Sequence, residues 1–231
     1  MCGRYTITVT LEELIIRYEL GETNVPFHQP RYNVAPAQQI PAIIHDGQSN
    51  RLGQLKWGLI PSWADDDKHG SSMINARSET VAVKPAFRIP LQRKRCIIPA
   101  DGFYEWLSTS GGKQPMRIVM KNRSLFSMAA IYDTWVAPDN SKISSCSIIT
   151  TTANSVVAPI HDRMPVLLHK QDEQLWLDRS VQSSELLLPL LKPYPAEEME
   201  VYPVSPKVGN ARAESPSFIE RHAIEGQLEL W

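Results

Sequence analysis

The sequence predicts an α+β fold, a single domain with a mainly antiparallel, barrel-like β core flanked by short helices. Short segments rich in branched and aromatic residues alternate with turn residues along most of the chain, as expected for strands joined by hairpins. Eighteen prolines and eleven glycines, spread throughout, favour many short elements over long helices. Because no repeat, low-complexity segment or linker stands out, we expect one domain at 2–220 and a tail of unknown role at 221–231.

Helix signals are found in three segments. TLEELIIRYEL (10–20) begins with Thr10 three residues before Glu13, which is the spacing of a capping box, and it carries apolar residues at helical intervals. KQDEQLWLD (170–178) and SSELLLPLL (183–191) indicate two more short helices. These helices are too few to form the core, so we expect them to flank it.

Strand signals account for most of the remaining pattern. The turn-forming stretches SGGKQ (110–114) and PDNSK (138–142) separate several of them, which indicates hairpins. The predicted strands are RYTITV (4–9), PAIIHDG (41–47), RLGQLKWGLI (51–60), RCIIPA (95–100), GFYEWL (102–107), PMRIVM (115–120), LFSMAAIY (125–132), SCSIITT (145–151) and MEVYPV (199–204).

Composition excludes several classes of protein. Of the 231 residues, 42% are hydrophobic and 21% charged, which is ordinary for a globular protein. No apolar run approaches the roughly 20 residues of a membrane-spanning helix, and no signal segment is recognisable. Cys2, Cys96 and Cys146 are odd in number and widely spaced, which argues against a disulfide framework or a zinc site. We therefore expect a cytoplasmic protein with no membrane association and no metal or organic cofactor.

The charge distribution leaves room for a local basic groove. A net charge of −1 argues against a protein that coats nucleic acid indiscriminately. Between Arg77 and Arg95, however, six cations accompany a single acid, Glu79, so this stretch is a candidate phosphate track. The alternative is a solvated loop whose long side chains simply extend into water.

Cysteine at position 2, in MCGRYTI, is unusual because chain termini fray and exposed thiols oxidise. The simplest interpretation is that Cys2 is a small buried residue at the start of an edge strand, RYTITV. A reactive thiol is the other interpretation.

Three further segments carry polar groups suited to chemistry. Asn75 and Arg77 in INARSE face the same side of an extended segment. Glu105 in PADGFYEW lies between aromatics, so an inward orientation would raise its pKa and make it a proton carrier. His161 and Arg163 lie in the turn APIHDRMP.

The polar residues in these segments can also be interpreted as having no chemical role. Glu105 is then a surface carboxylate, and His161 packs in a turn that Asp162 caps. With Cys2, the three segments supply a nucleophile, two proton carriers and an orienting amide. The same set fits a Cys-His hydrolase, so the residues alone leave the reaction open.

Seven blocks together resemble the SRAP family, the abasic-site processing proteins once named SOS-response-associated peptidases. They occur in the family's order from residue 2 to about 210, so the resemblance covers nearly the whole chain. The blocks are MCGRY, RYNVAPAQ, WGLIPSW, INARSET, RCIIPADGFYEW, IHDRMP and VSPKVGN.

The resemblance implies that Met1 is removed and that the new amino-terminal Cys2 reacts with an abasic site in single-stranded DNA. It implies an α+β domain around antiparallel strands, in agreement with the pattern above. Ala64 stands where some relatives carry a second aromatic residue, so the contact with DNA bases is expected to differ. Asn75, Glu105 and His161 match the family's other active-site positions, and Arg4, Trp63, Arg77 and Arg163 match its DNA contacts.

The chemistry implied is a thiazolidine cross-link between Cys2 and the ring-opened aldehyde, with a lyase side activity and reversal. The partner is single-stranded DNA that contains abasic sites, and we expect a monomer that associates with the nucleoid when it acts on DNA. Two alternatives remain from the sequence. One is a cysteine peptidase or autopeptidase acting through Cys2, and the other is a non-enzymatic single-strand binder.

Overall fold

The computed structural model describes residues 2–21 and 28–222 and contains two β-sheets with four short helices around them. The helices are α1 Leu11–Tyr18, α2 Pro85–Arg93, α3 Lys170–Leu177 and α4 Ser184–Leu187. The strands are β1 Tyr5–Ile7, β2 Arg31–Val34, β3 Gln39–His45, β4 Asn50–Trp57, β5 Asn75–Arg77, β6 Arg95–Ala100, β7 Gly102–Thr109, β8 Gly112–Met120, β9 Phe126–Val136, β10 Lys142–Thr152, β11 Arg163–Pro165, β12 Leu167–Leu168 and β13 Met199–Pro203.

One sheet closes on itself as a small barrel. Its order β4-β3-β6-β9-β10 returns to β4, because β10 pairs antiparallel with β9 on one edge and parallel with β4 on the other. Beyond the end of β4, the short β5 continues the parallel pairing along β10, and β11 pairs antiparallel with the end of β10. The α+β fold with a mainly antiparallel, barrel-like core is therefore confirmed.

The second sheet is antiparallel, with the order β13-β8-β7-β1-β2, and its two faces pack on different partners. Tyr5 and Phe103 lie in the core cluster shared with the barrel. Tyr104 on the opposite face packs in a smaller cluster with Val208 and Phe218. Since β1 lies between β7 and β2, the expectation that it is an edge strand is wrong.

The helices flank the sheets as expected. In α1, the capping box is formed: Thr10 Oγ1 accepts the Glu13 N–H, and the Glu13 carboxylate accepts the Thr10 N–H. Helix α2 was not predicted because Pro85 begins it and Pro90 lies inside it, and prolines read as helix breakers in a sequence. In the described part of the chain, no helix is long and apolar enough to span a membrane.

The predicted phosphate track over 77–95 is only partly exposed. Arg95 is buried, and its guanidinium donates to the carbonyls of Leu91, Gln92 and Trp176. This arginine therefore anchors helices α2 and α3 to the barrel instead of facing solvent.

The two residues that follow the C-terminal boundary expected at 220 contact the antiparallel sheet. Arg221 pairs with Glu200 of β13, and the His222 N–H donates to the Pro203 carbonyl. Residues 223–231 of the expected tail lie outside the described residues.

Candidate active site

Cys2 lies three residues before the start of β1, where the antiparallel sheet meets the barrel, and it is fully buried. The Arg4 backbone N–H bonds to its thiol. Burial raises the pKa of the Cys2 thiol well above its usual range, and the nearby Glu105 carboxylate adds to the effect. The thiol is therefore protonated at neutral pH.

The Glu105 carboxylate lies close to Cys2 because β7 pairs with β1. In the ladder, Tyr5 lies opposite Phe103, and the Tyr104 N–H donates to the Arg4 carbonyl. Glu105 is only 3% exposed, which is the inward orientation considered from the sequence. Burial raises the pKa of its carboxyl above the ordinary value, although attraction to His161 opposes the rise.

His161 ends a turn between β10 and β11, in which the His161 N–H donates to Val157. The imidazole Nδ1 accepts the Arg163 N–H at 2.9 Å. In the neutral ring the proton is therefore on Nε2. The Asp162 carboxylate lies 2.9 Å from the same Nδ1.

Asn75 lies on β5, opposite Ile148 of β10. Its Nδ2 donates to its neighbour, the Ile74 carbonyl, at 3.1 Å, and the same carbonyl accepts Trp57 Nε1 at 2.9 Å. The indole of Trp57 meets the ring of Tyr5 edge to face, with centroids 5.6 Å apart. These contacts link Asn75 to the strand that follows Cys2.

Several buried polar atoms around this site make no hydrogen bond within the described residues. Such atoms are rare in native proteins because each one carries a desolvation cost. Two of the four atoms belong to β1 and β11, and the other two belong to β5 and the turn that follows it. The atoms are Asn75 Oδ1, Tyr5 Oη, Thr80 Oγ1 and Arg163 Nε.

Arg77 and Arg163 lie close together at the end of β10. Arg77 is opposite Thr150 in the parallel ladder, and Arg163 Nη2 donates to the Thr150 carbonyl at 2.7 Å. Arg77 is exposed, whereas the Arg163 side chain is only 11% exposed and forms a bidentate pair with Glu79.

Arg4 is directed elsewhere. Its guanidinium donates to Asn33 Oδ1 at 2.8 Å and to the Val208 carbonyl at 2.9 Å, and it lies over the ring of Trp106. The structure therefore joins Arg77 and Arg163 at one place and gives Arg4 a separate set of protein contacts.

Trp63 stands on a loop that follows β4 and is 60% exposed. The loop begins at Gly58, whose φ is +129° and where a Cβ would lie 2.4 Å from the Gly70 carbonyl, so no larger residue fits. The Ser62 N–H donates to the Asp133 carboxylate at 2.8 Å, which fixes the loop to β9. The loop is therefore held against β9 while the indole of Trp63 is exposed to solvent.

Ala64, where some relatives carry an aromatic residue, is 9% exposed. Its carbonyl accepts Trp135 Nε1 at 2.6 Å. This position therefore contributes backbone to the loop and no second exposed ring.

Sequence reasoning missed Tyr5, Trp57 and Glu79 as members of the site. Glu79 carried a signal, because it is the only acid in the basic stretch 77–95. Tyr5 and Trp57 read as ordinary core aromatics. Within the described residues, no three His, Cys, Asp or Glu side chains converge as a metal site would require.

Comparison with known proteins identifies the family of this chain. The family model for SRAP, SOS response associated peptidase, matches residues 1–211. The abasic site processing proteins YoqW and YoaM of Bacillus subtilis (strain 168) are each 47% identical to this chain. The match to YoqW covers 96% of this chain and 100% of YoqW. The match to YoaM covers 95% of this chain and 98% of YoaM. A crystal structure of a protein from Bacteroides thetaiotaomicron has a TM-score of 0.88 at 30% identity, with 96% and 100% coverage. This chain belongs to the SRAP family.

Proposed function

We propose that this chain processes abasic sites in single-stranded DNA by linking Cys2 covalently to the lesion after Met1 is removed. The observation that carries the proposal is the buried thiol of Cys2 beside the buried carboxyl of Glu105, which itself interacts with His161. The names of the relatives, abasic site processing proteins, support the same substrate.

The first step uses the α-amine that Cys2 gains when Met1 is lost. With an ordinary pKa of about 8, this amine is partly neutral at pH 7 and attacks the C1′ aldehyde of the ring-opened sugar. An imine forms and water leaves. His161 donates a proton to the departing oxygen and recovers one from the nitrogen, while the buried Asn75 Oδ1 accepts an N–H of the amine and orients it.

The second step uses the thiol of the same residue. Sγ bonds to the imine carbon, Glu105 takes the S–H proton and passes a proton to the nitrogen, and the five-membered thiazolidine closes. Because burial keeps the thiol protonated, this step depends on the base beside it. A carboxyl with a raised pKa accepts the proton and can return it, so Glu105 also assists reversal of the cross-link.

The imine accounts for a lyase side activity. It acidifies the 2′ hydrogens of the sugar, and loss of one of them expels the 3′ phosphate by β-elimination. Ring closure by the thiol removes the imine, so we expect elimination to be the minor outcome in the unmodified protein.

Contacts with DNA involve the arginines and Trp63. Arg77 and Arg163 at the end of β10 bind backbone phosphates near the lesion, and the exposed Trp63 stacks on a base. An abasic position offers no base to read, so sequence preference is slight, and one copy of the chain suffices as a monomer.

The environment of Cys2 weighs against the peptidase alternative. A peptidase cysteine attacks as a thiolate, which a neighbouring cation stabilises by lowering the thiol pKa. Here burial and a carboxylate raise that pKa. A protonated thiol is adequate for adding to an imine that has already formed, but it is a poor nucleophile towards a peptide carbonyl.

The proposal is tested by denaturing gel electrophoresis of the purified protein with a single-stranded oligonucleotide containing one abasic site. Mass spectrometry first confirms the loss of Met1. We expect a band that survives heat and detergent without borohydride, disappears in Cys2→Ala and persists in Cys96→Ala, which removes another fully buried thiol. Absence of the wild-type band, or its persistence in Cys2→Ala, rejects the proposal.

A further inference from the structure

The strongest unexplained contact outside the reacting groups is the ion pair between Arg163 and Glu79. Arg163 Nη1 donates to Glu79 Oε1 at 2.7 Å, and Nη2 donates to Oε2 at 3.0 Å. The hydrogen bond from Arg163 lowers the pKa of the Glu79 carboxyl, so the pair is charged at neutral pH.

The two partners differ in their surroundings. The Arg163 side chain is 11% exposed, whereas that of Glu79 is 48% exposed. Arg163 also donates from Nη2 to the Thr150 carbonyl at 2.7 Å, which holds its guanidinium against β10. The carboxylate of Glu79 therefore occupies the solvent side of a guanidinium that is otherwise fixed within the protein.

A phosphodiester would approach Arg163 from that same side. Its two non-bridging oxygens match the paired acceptor geometry of a carboxylate, because a guanidinium binds both groups through two parallel N–H donors. Such a phosphate takes the positions of the two Glu79 oxygens and leaves the bond to Thr150 undisturbed. Arg77, opposite Thr150 in the ladder, adds a second positive charge.

We propose that Glu79 occupies the phosphate position of Arg163 and must be displaced when DNA binds, which weakens the affinity for undamaged single strands. Glu79 lies in the turn after β5, where Thr80 N–H donates to the Arg77 carbonyl, so its side chain can swing into solvent without breaking a strand. The inference rests on the proposed function, because it assigns Arg163 to a backbone phosphate.

Selectivity for the lesion follows from this competition. An undamaged strand offers phosphates alone, and each must compete with an anion already bound. A strand with an abasic site is captured covalently, so a weak initial contact is sufficient. Glu79 thereby acts as a specificity-determining residue that limits unproductive binding without touching the reacting atoms.

The test measures binding of the full chain to an undamaged single-stranded oligonucleotide over a range of salt concentrations. We expect Glu79→Gln to raise the affinity by about fivefold at low salt, comparable with the loss of a partly exposed ion pair. The log–log salt slope should become steeper by about 0.7, the value for one more phosphate contact on a single strand.

The matched control is Glu200→Gln on the edge strand β13, which removes another partly exposed carboxylate, one that pairs with Arg123 and Arg221. An equal gain in affinity in both variants would show that the effect comes from net charge, and it would reject the proposal. An unchanged or weaker affinity in Glu79→Gln would also reject it. Cross-linking of abasic DNA by the wild type is scored separately, so a failure of this inference is distinguishable from a failure of the proposed function.

Discussion

The ring of Tyr5 contacts the indole of Trp57 edge to face, with the two centroids 5.6 Å apart. This contact connects the strand that follows Cys2 to the barrel strand β4, and Trp57 continues the connection by donating to the carbonyl beside Asn75. The segments that carry Cys2 and Asn75 therefore share one aromatic support. The Tyr5 hydroxyl, in contrast, is buried and makes no hydrogen bond in the described part of the chain.

Tyr5→Phe should stabilise the protein. The change keeps the ring contact and removes a desolvated hydroxyl, so we expect the free energy of unfolding to rise by up to about 1 kcal/mol. Urea denaturation measures the difference. Tyr104→Phe is the matched control, because that hydroxyl donates to the Tyr32 carbonyl at 2.9 Å and its loss should destabilise. A loss of stability in Tyr5→Phe would show that its hydroxyl has a partner in solution.

Glu105→Gln should increase stability at neutral pH while abolishing the cross-link. Burial raises the pKa of the Glu105 carboxyl, so the folded state holds its proton to a higher pH than the unfolded chain does. The wild type therefore loses stability as pH rises from the ordinary glutamate pKa of about 4.3 through the raised value. The glutamine variant should gain relative to wild type across that window in thermal melts.

The control for this pH profile is Glu220→Gln, which changes an exposed glutamate near the end of the described chain. Its stability should follow the wild type at every pH. Parallel curves for Glu105→Gln and wild type would contradict a raised pKa at Glu105, and unchanged cross-linking in Glu105→Gln would remove its role as the base.

Much of the fold was predictable because local turn chemistry and apolar patterning determine it. The hairpins of β7 with β8 and of β9 with β10 form around the predicted turns, and β6 has the predicted bounds. The parallel contact of β10 with β4 closes the barrel, and no local pattern encodes it, because it joins segments far apart in the chain. Helix α2 escaped prediction because tertiary packing of Phe87 and Leu91 outweighs the cost of Pro90.

The site was predictable to a similar extent. Glu105 and His161 could be named as candidates because polar groups interrupt apolar or turn-rich segments, and Cys2 because of its position and the family resemblance, but their proximity in space was not predictable. The pairing of Arg163 with Glu79 was not foreseeable, since the two are distant in sequence and meet only through β5, β10 and β11. Arg95 shows the converse: its charge pattern indicated a phosphate contact, and its burial gives it a structural role.

Asp133→Ala should destabilise the protein and loosen the loop that carries Trp63. Burial alone would raise the pKa of Asp133, but hydrogen bonds from Lys94 and from the Ser62 and Thr134 N–H groups outweigh it and lower the pKa. Loss of these bonds should cost about 3 kcal/mol at pH 7. Because a lowered pKa contributes stability that disappears on acidification, the difference from wild type should shrink as pH falls through that pKa.

Denaturation at several pH values measures this effect, and the quenching of Trp63 fluorescence by acrylamide reports on the loop. Asp139→Ala is a suitable control because that carboxylate lies in the exposed turn between β9 and β10, where it accepts the Ser141 N–H. A pH-independent loss in Asp133→Ala would mean that packing, and not the charge of Asp133, supplies the stability.

The sequence assigns both Arg4 and Arg77 to DNA contacts. Arg4→Ala and Arg77→Ala should show that Arg4 has a structural role and that Arg77 binds DNA. Arg4 donates to Asn33 and Val208, so its loss should lower the free energy of unfolding by about 2 kcal/mol. Arg77 is exposed at the end of β5, so its removal should leave stability unchanged while lowering the salt slope of single-strand binding by about 0.7. The contrary result is that Arg4→Ala lowers the salt slope as much as Arg77→Ala does and leaves the free energy of unfolding unchanged. That result would show that Arg4 leaves its protein partners to bind phosphate. If Arg77→Ala leaves the slope unchanged, the phosphate contact proposed at the end of β10 belongs to Arg163 alone.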